Sequence, residues 1–140
     1  MVKVLQIVPR LPPSISGVGD YALMIAKIMR EQYGIVTVFA VADSGAAVEQ
    51  EIDGFAIRKL TPDARSILAA SDGISHQLLH YVGYGYEKRG CPVWLLSALR
   101  KLKAANKSSR LITMFHELYA YGKPWQSSFW TSPLQRRICR

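Results

Sequence analysis

The sequence predicts an α/β fold: one Rossmann-like, mainly parallel sheet with helices on both faces, spanning residues 1–140. Three observations predict it. Short β-branched apolar runs recur, such as VKVLQIV at 2–8 and IVTVFAVA at 35–42. They are continuous rather than alternating, as in strands covered on both sides. Between them lie stretches with apolar residues at helical spacing. The resulting order, βαβ followed by βαβαβα without internal repeat or low-complexity linker, favours parallel strands joined by crossover helices.

The elements follow in order. Val2 to Val8 reads as the first strand, and a loop from Pro9 to Ser16 leads to a helix from about Val18 to Gln32. Its predicted apolar face is Val18, Tyr21, Ala22, Ile25, Ile28 and Met29, and Gly34 is its stop signal. Asp20 sits in its first turn, where the helix dipole favours a carboxylate. Ile35 to Ala42 is the second strand, ended by Asp43-Ser44-Gly45, and the acidic segment from Ala46 to Asp53 fits neither pattern. Phe55 to Leu60 alternates and reads as a shorter strand near the sheet edge. Thr61-Pro62-Asp63 opens a helix over Ala64–Ala70, and Gln77 to Val82 is the next strand, followed by a loop at Gly83–Tyr86. Pro92 starts a helix through about Ala105, with Val93, Leu96, Leu99 and Leu102 as its apolar face. Arg110 to Phe115 is the last strand and ends at His116-Glu117. Tyr119, Tyr121, Pro124 and Trp125 then form an aromatic loop that opens a further helix, and Ser132-Pro133 carries the N-cap and first-turn signature of a final one.

Composition bounds the function. A 49% hydrophobic fraction and a mean hydropathy of +0.06 describe a chain able to build a core yet with no apolar run near the roughly 20 residues of a membrane span. The start of the chain lacks the apolar core of a signal peptide, and Cys91 and Cys139 have no metal-ligand spacing, so free thiols and a cytoplasmic location are expected. Charge is uneven: residues 1–75 carry seven Lys/Arg against eight Asp/Glu, net −1, while residues 76–140 carry eleven against two, net +9. The basic half suits nucleic acid, anionic lipid at the inner face of a membrane or a phosphate-bearing ligand, and equally the solvated faces of ordinary helices.

The candidate functional residues all follow predicted strands, at the end of the sheet where open α/β proteins bind ligands. Gly17-Val18-Gly19-Asp20-Tyr21-Ala22 fits a loose G-x-G-x-x-A pattern, although eight residues separate it from the strand, which departs from a dinucleotide loop. Asp43 stands where a nicotinamide-dinucleotide protein places its ribose carboxylate, and it equally suits a turn. His116, ending a buried strand before an acid, can bond a ligand hydroxyl or move a proton. His76 and His80 are less suggestive and read as structural. Tyr84, Tyr86, Tyr119, Tyr121 and Trp125 crowd the same side and suit sugar rings, nucleobases or a partner protein. No G-x-S-x-G elbow, P-loop lysine or zinc spacing is present.

The opening VKVLQIVPRLPPSISGVGDYALMIAKIM, with the strand end LITMFHELY about a hundred residues later, resembles the N-terminal domain of retaining GT-B glycosyltransferases, family 4 or group 1. The resemblance covers nearly the whole chain. It implies the acceptor-side half of a two-domain enzyme that moves a sugar from a nucleotide-diphosphate sugar to a carbohydrate or lipid-linked acceptor, without a metal or other cofactor. By similarity, Gly17 and Gly19 approach the donor diphosphate or the transferring sugar, His116 contacts that sugar as the catalytic candidate, and Tyr84 lies on the acceptor side. Asp20 and Glu117 complete the implied substrate-binding set. No two glutamates stand in the family's E-x7-E arrangement. The expectation is therefore an incomplete N-terminal domain without the donor-binding domain, inactive alone. A nucleotide- or NAD(P)-binding Rossmann protein and a non-enzymatic binding module remain the alternatives; nucleic acid is not an expected partner.

Overall fold

The computed structural model describes residues 1–42 and 50–140. Among these described residues it is α/β: a six-stranded, mostly parallel sheet with five helices, compatible with a Rossmann-like fold. The strands are β1 (Lys3–Val8), β2 (Val36–Val41), β3 (Glu51–Ile52), β4 (Phe55–Lys59), β5 (His76–Tyr81) and β6 (Arg110–Phe115). The helices are α1 (Gly17–Tyr33), α2 (Ala64–Ala70), α3 (Gly83–Tyr86), α4 (Val93–Ala105) and α5 (Ser127–Ile138). The spatial order is β3-β4-β2-β1-β5-β6. From β1 the chain builds outward through β2 to β4, then returns to the other side of β1 with β5 and β6. The order therefore reverses between β1 and β5, and that switch point fixes where a crevice opens.

Two apolar layers sandwich the sheet, as its continuous apolar strands require. Leu5, Ile7, Val38, Ala40 and Leu79 point to one face and pack with Ile67 and Ala70 of α2 and Leu95, Ala98 and Leu102 of α4. Val8, Phe39 and Val41 point to the other and meet Ala22, Leu23 and Ala26 of α1. Burying one of the larger of these side chains, such as Leu5, Ile67 or Phe39, contributes about 1.5–3 kcal/mol relative to exposure.

Local chemistry explains the element ends. Ser16 caps α1 by accepting from the Gly19 amide at 3.2 Å, and Gly34 closes the helix in the left-handed conformation, φ 61°. Asp63 caps α2 by accepting from the Arg65 and Ser66 amides. The Pro12-Pro13 peptide is cis.

Four expectations shift. The buried face of α1 is Gly19, Ala22, Leu23 and Ala26, not the larger residues one step away; Tyr21 and Ile28 are 38% and 39% exposed. Small side chains bring this helix closer to the sheet than a row of large ones could. On α4 the inward residues are Leu95, Ala98 and Leu102, and Val93 is exposed. The segment before β4 contributes a hairpin: β3 pairs antiparallel with β4 across Asp53-Gly54, both at positive φ as a tight turn of this hand demands. Lastly, Ser132 does not open the final helix. That helix begins at Ser127, encloses Pro133 and buries Ser132 in its middle. The Asp43–Gly45 turn and the candidate Asp43 lie outside the described residues.

Candidate functional site

Two connections meet at the switch point. After β1 the chain runs through Pro9–Ser16 into α1, and after β5 it makes the single helical turn α3, where a loop was expected. They touch at Gly85, where an added Cβ would lie 2.9 Å from the Pro9 side chain and 2.8 Å from that of Val82, so only glycine lets the two walls close. Between them lies a cleft of about 370 Å³, bordered by Arg10, Ser16, Gly17, Val18, Tyr84 and His116 among others. Gly17 and Val18 begin α1, and the first amides of a helix lack intrahelical acceptors. One edge of the cleft is therefore rich in donors.

Gly17, Tyr84 and His116 are thus brought together, three of the six residues singled out from sequence. Space beside Gly17 is open, with no atom within 4 Å of an added Cβ. Gly19 is different. It is buried, and an added Cβ would collide with the Arg10 carbonyl, so the close approach it permits is that of the chain's own loop. Asp20 and Glu117 are exposed and do not border the cleft.

Behind the cleft runs a polar chain through the sheet face under α1. His116 follows β6, held by its amide donating to the Tyr81 carbonyl at 2.9 Å. Its Nε2 lies 3.1 Å from Nδ1 of His80, and the Nε2 of His80 lies 2.8 Å from Oε1 of Gln6 on β1. The Gln6 amide nitrogen is 3.9 Å from the Met29 sulfur on α1. The two imidazoles stack at 24° with centroids 5.3 Å apart, and Tyr21 stands edge-on to both. Gln6 and His80 are fully buried. Burial, then the neighbouring His116, pulls the His80 pKa down to about 4, so this ring is neutral at ordinary pH.

Sequence reasoning missed Gln6, and it read His80 as structural without its link to His116. Their signal was the polar residue inside an otherwise apolar strand, VLQIV and LLHYV. His76 sits at the opposite end of β5, against Ser75. Tyr86 is core: its hydroxyl lies 2.8 and 3.1 Å from the carbonyls of His80 and Ile7 and can donate to either.

A further polar junction holds α5 to the cleft. The buried Gln135 offers its amide nitrogen to the Tyr84 hydroxyl at 3.2 Å and the Arg89 carbonyl at 3.1 Å, while its oxygen accepts from the Ala120 amide at 2.9 Å. This helix turns Ser132 and Gln135 inward and leaves Phe129, Trp130 and Leu134 exposed, the reverse of ordinary amphipathicity. Residues 118–140 hold four Lys/Arg and no Asp/Glu, and Arg136 lies over the rings of Tyr119 and Tyr121. Another groove, about 380 Å³, runs between α4 and β6 over Leu95, Leu99, Leu111 and Phe115; it is mainly aliphatic and lies outside the switch-point crevice.

No family model matches the chain, and no curated protein or solved structure matches it. Among the described residues no helix is long and apolar enough to cross a membrane.

Proposed function

We propose that residues 1–140 form the acceptor-side N-terminal domain of a GT-B glycosyltransferase acting on a nucleotide-diphosphate sugar, with the cleft beside His116 as one wall of the transfer site. The observation that carries the reading is His116 itself, a ring backed by a buried hydrogen-bonded partner and set at the switch-point cleft with Gly17 and Tyr84. Helix-start amides suit a phosphate or sugar oxygen, and the aromatic Tyr84 suits a sugar ring. In this reading His116 bonds the transferring sugar, Gly17 borders the donor, and Tyr84 borders a carbohydrate or lipid-linked acceptor. The chemistry asks for no metal or cofactor.

Transfer also needs cationic groups at the departing diphosphate, usually a large share of the rate. In this proposal those groups belong to a donor-binding domain that residues 1–140 do not contain. The inverted helix α5, with its exposed aromatics and arginines, supports contact of a cytoplasmic protein with an anionic membrane face or a phosphorylated acceptor. A dinucleotide site at the same loop is disfavoured, because the Arg10 carbonyl fills the space beside Gly19 where a pyrophosphate would approach.

Calorimetric titration with NAD and with a panel of nucleotide-diphosphate sugars separates these readings. Weak heat with a nucleotide sugar, since only one wall of its site lies in residues 1–140, and none with NAD is the expected result. Tight NAD binding overturns the proposal.

A further inference from the structure

We propose that Gln6 and His80 are positioning residues that hold the proton of neutral His116 on Nε2 and leave Nδ1 as its lone-pair nitrogen, so that the cleft accepts a hydrogen-bond donor such as a hydroxyl. The inference rests on the reading above only in taking His116 as the group that meets the ligand.

The buried end of the polar chain is fixed first. A thioether sulfur accepts weakly and never donates, so the side of the Gln6 amide facing Met29 carries the NH2 group. Its carbonyl oxygen therefore faces His80, and it can only accept. Facing it, Nε2 of His80 must donate. His80 is neutral, and a neutral imidazole with its proton on Nε2 has a lone pair on Nδ1. That lone pair faces Nε2 of His116 at 3.1 Å, so His116 donates from Nε2. Each step leaves one choice. Reversing any of them would put two donors or two lone pairs face to face and leave a buried polar group unsatisfied. Among the described residues, Nδ1 of His116 has no partner. Gln6 thus sets, from β1, the chemical face of a ring that follows β6, through the intervening strand β5.

The consequence is selectivity. With a lone pair at Nδ1, neutral His116 binds O–H or N–H groups and repels an oxyanion. Any phosphate oxygen at this cleft belongs at the α1 amides and not at the ring.

Long-range proton–nitrogen spectra of the histidine-labelled chain at mildly alkaline pH test this without any sugar, so failure to bind a nucleotide sugar does not affect the outcome. The expected wild-type spectrum has both His80 and His116 with a pyrrole-like Nε2 and a pyridine-like Nδ1. In Gln6→Leu, which keeps the strand apolar but removes the acceptor, both nitrogens of His116 should move toward averaged values. Gln6→Glu, which retains the acceptor oxygen, serves as a second variant and should not give that averaging. A wild-type His116 protonated on Nδ1 or averaged between forms, or a His116 unmoved in folded Gln6→Leu, overturns the proposal.

Discussion

Nδ1 of His80 and Nε2 of His116 face each other at 3.1 Å, joining a fully buried ring to one at the edge of the cleft. This pair couples the stability of the sheet to the state of the site, and acid should reveal it. His80 titrates near 4 in the fold against about 6.5 in an unfolded chain. Between those values the unfolded state binds more protons, so stability is complete above about pH 6.5 and falls as pH drops toward 4. At 1.36 kcal/mol per unit the loss approaches about 3 kcal/mol. Urea unfolding at several pH values should show it, and His80→Gln should flatten the slope across that window. An equal slope in the variant would remove His80 as the cause.

The two glycines of the first loop should behave oppositely. Gly19→Ala forces a Cβ into the Arg10 carbonyl and should lower stability by about 1–3 kcal/mol or more, as overpacking does. Gly17→Ala meets open space in the first turn of a helix and should stay within about 1 kcal/mol of wild type, or gain slightly. Denaturant midpoints for the two variants decide it; equal losses would contradict the packing.

Gln135 should act as a latch. Gln135→Leu leaves the Ala120 amide without its acceptor and the Tyr84 hydroxyl without its donor. The expected cost is about 1–3 kcal/mol, with faster hydrogen exchange at Ala120. Unchanged exchange there would show that α5 is held by other contacts.

How much of this was legible follows from which force decides each element. β6 over Arg110–Phe115 and α2 over Ala64–Ala70 stood in the sequence as the structure has them, because apolar pattern and capping chemistry agree there. β6 nonetheless is an edge strand with Ile112 63% exposed, which its composition concealed. Periodicity placed Ala22 inward but missed Gly19 and Ala26, because it weighs large side chains, whereas these small residues win by letting the helix close on the loop and sheet. Ser132-Pro133 read as a helix start, yet Gln135 pins that segment inside a longer helix; tertiary contacts overrode a local signal. His116 was visible as a polar residue at a strand end. Its partners Gln6 and His80 come from strands far apart in sequence, and only the sheet order brings them together.

The basic, aromatic end of the chain gives another measurable outcome. Trp125 and Trp130 are 77% and 73% exposed beside Lys123, Arg136 and Arg137. Vesicles containing anionic lipid should shift their fluorescence to the blue, and salt or the double variant Arg136→Glu with Arg137→Glu should suppress the shift. Equal binding to neutral vesicles, or none to anionic ones, would remove the membrane from the proposal.

Residues 1–140 alone should transfer no sugar from any nucleotide-diphosphate sugar to an added acceptor, since the charge-stabilising half of the chemistry is assigned elsewhere. Measurable transfer by the purified chain would contradict that division of labour.

Residue-level nuclear magnetic resonance titration tests most directly whether the cleft beside His116 takes the ligand. Adding a nucleotide-diphosphate sugar should shift Gly17, Tyr84 and His116 together and saturably, with His116→Ala weakening the response at the other two. Shifts confined to the groove between α4 and β6, or a response unchanged by His116→Ala, would contradict the account.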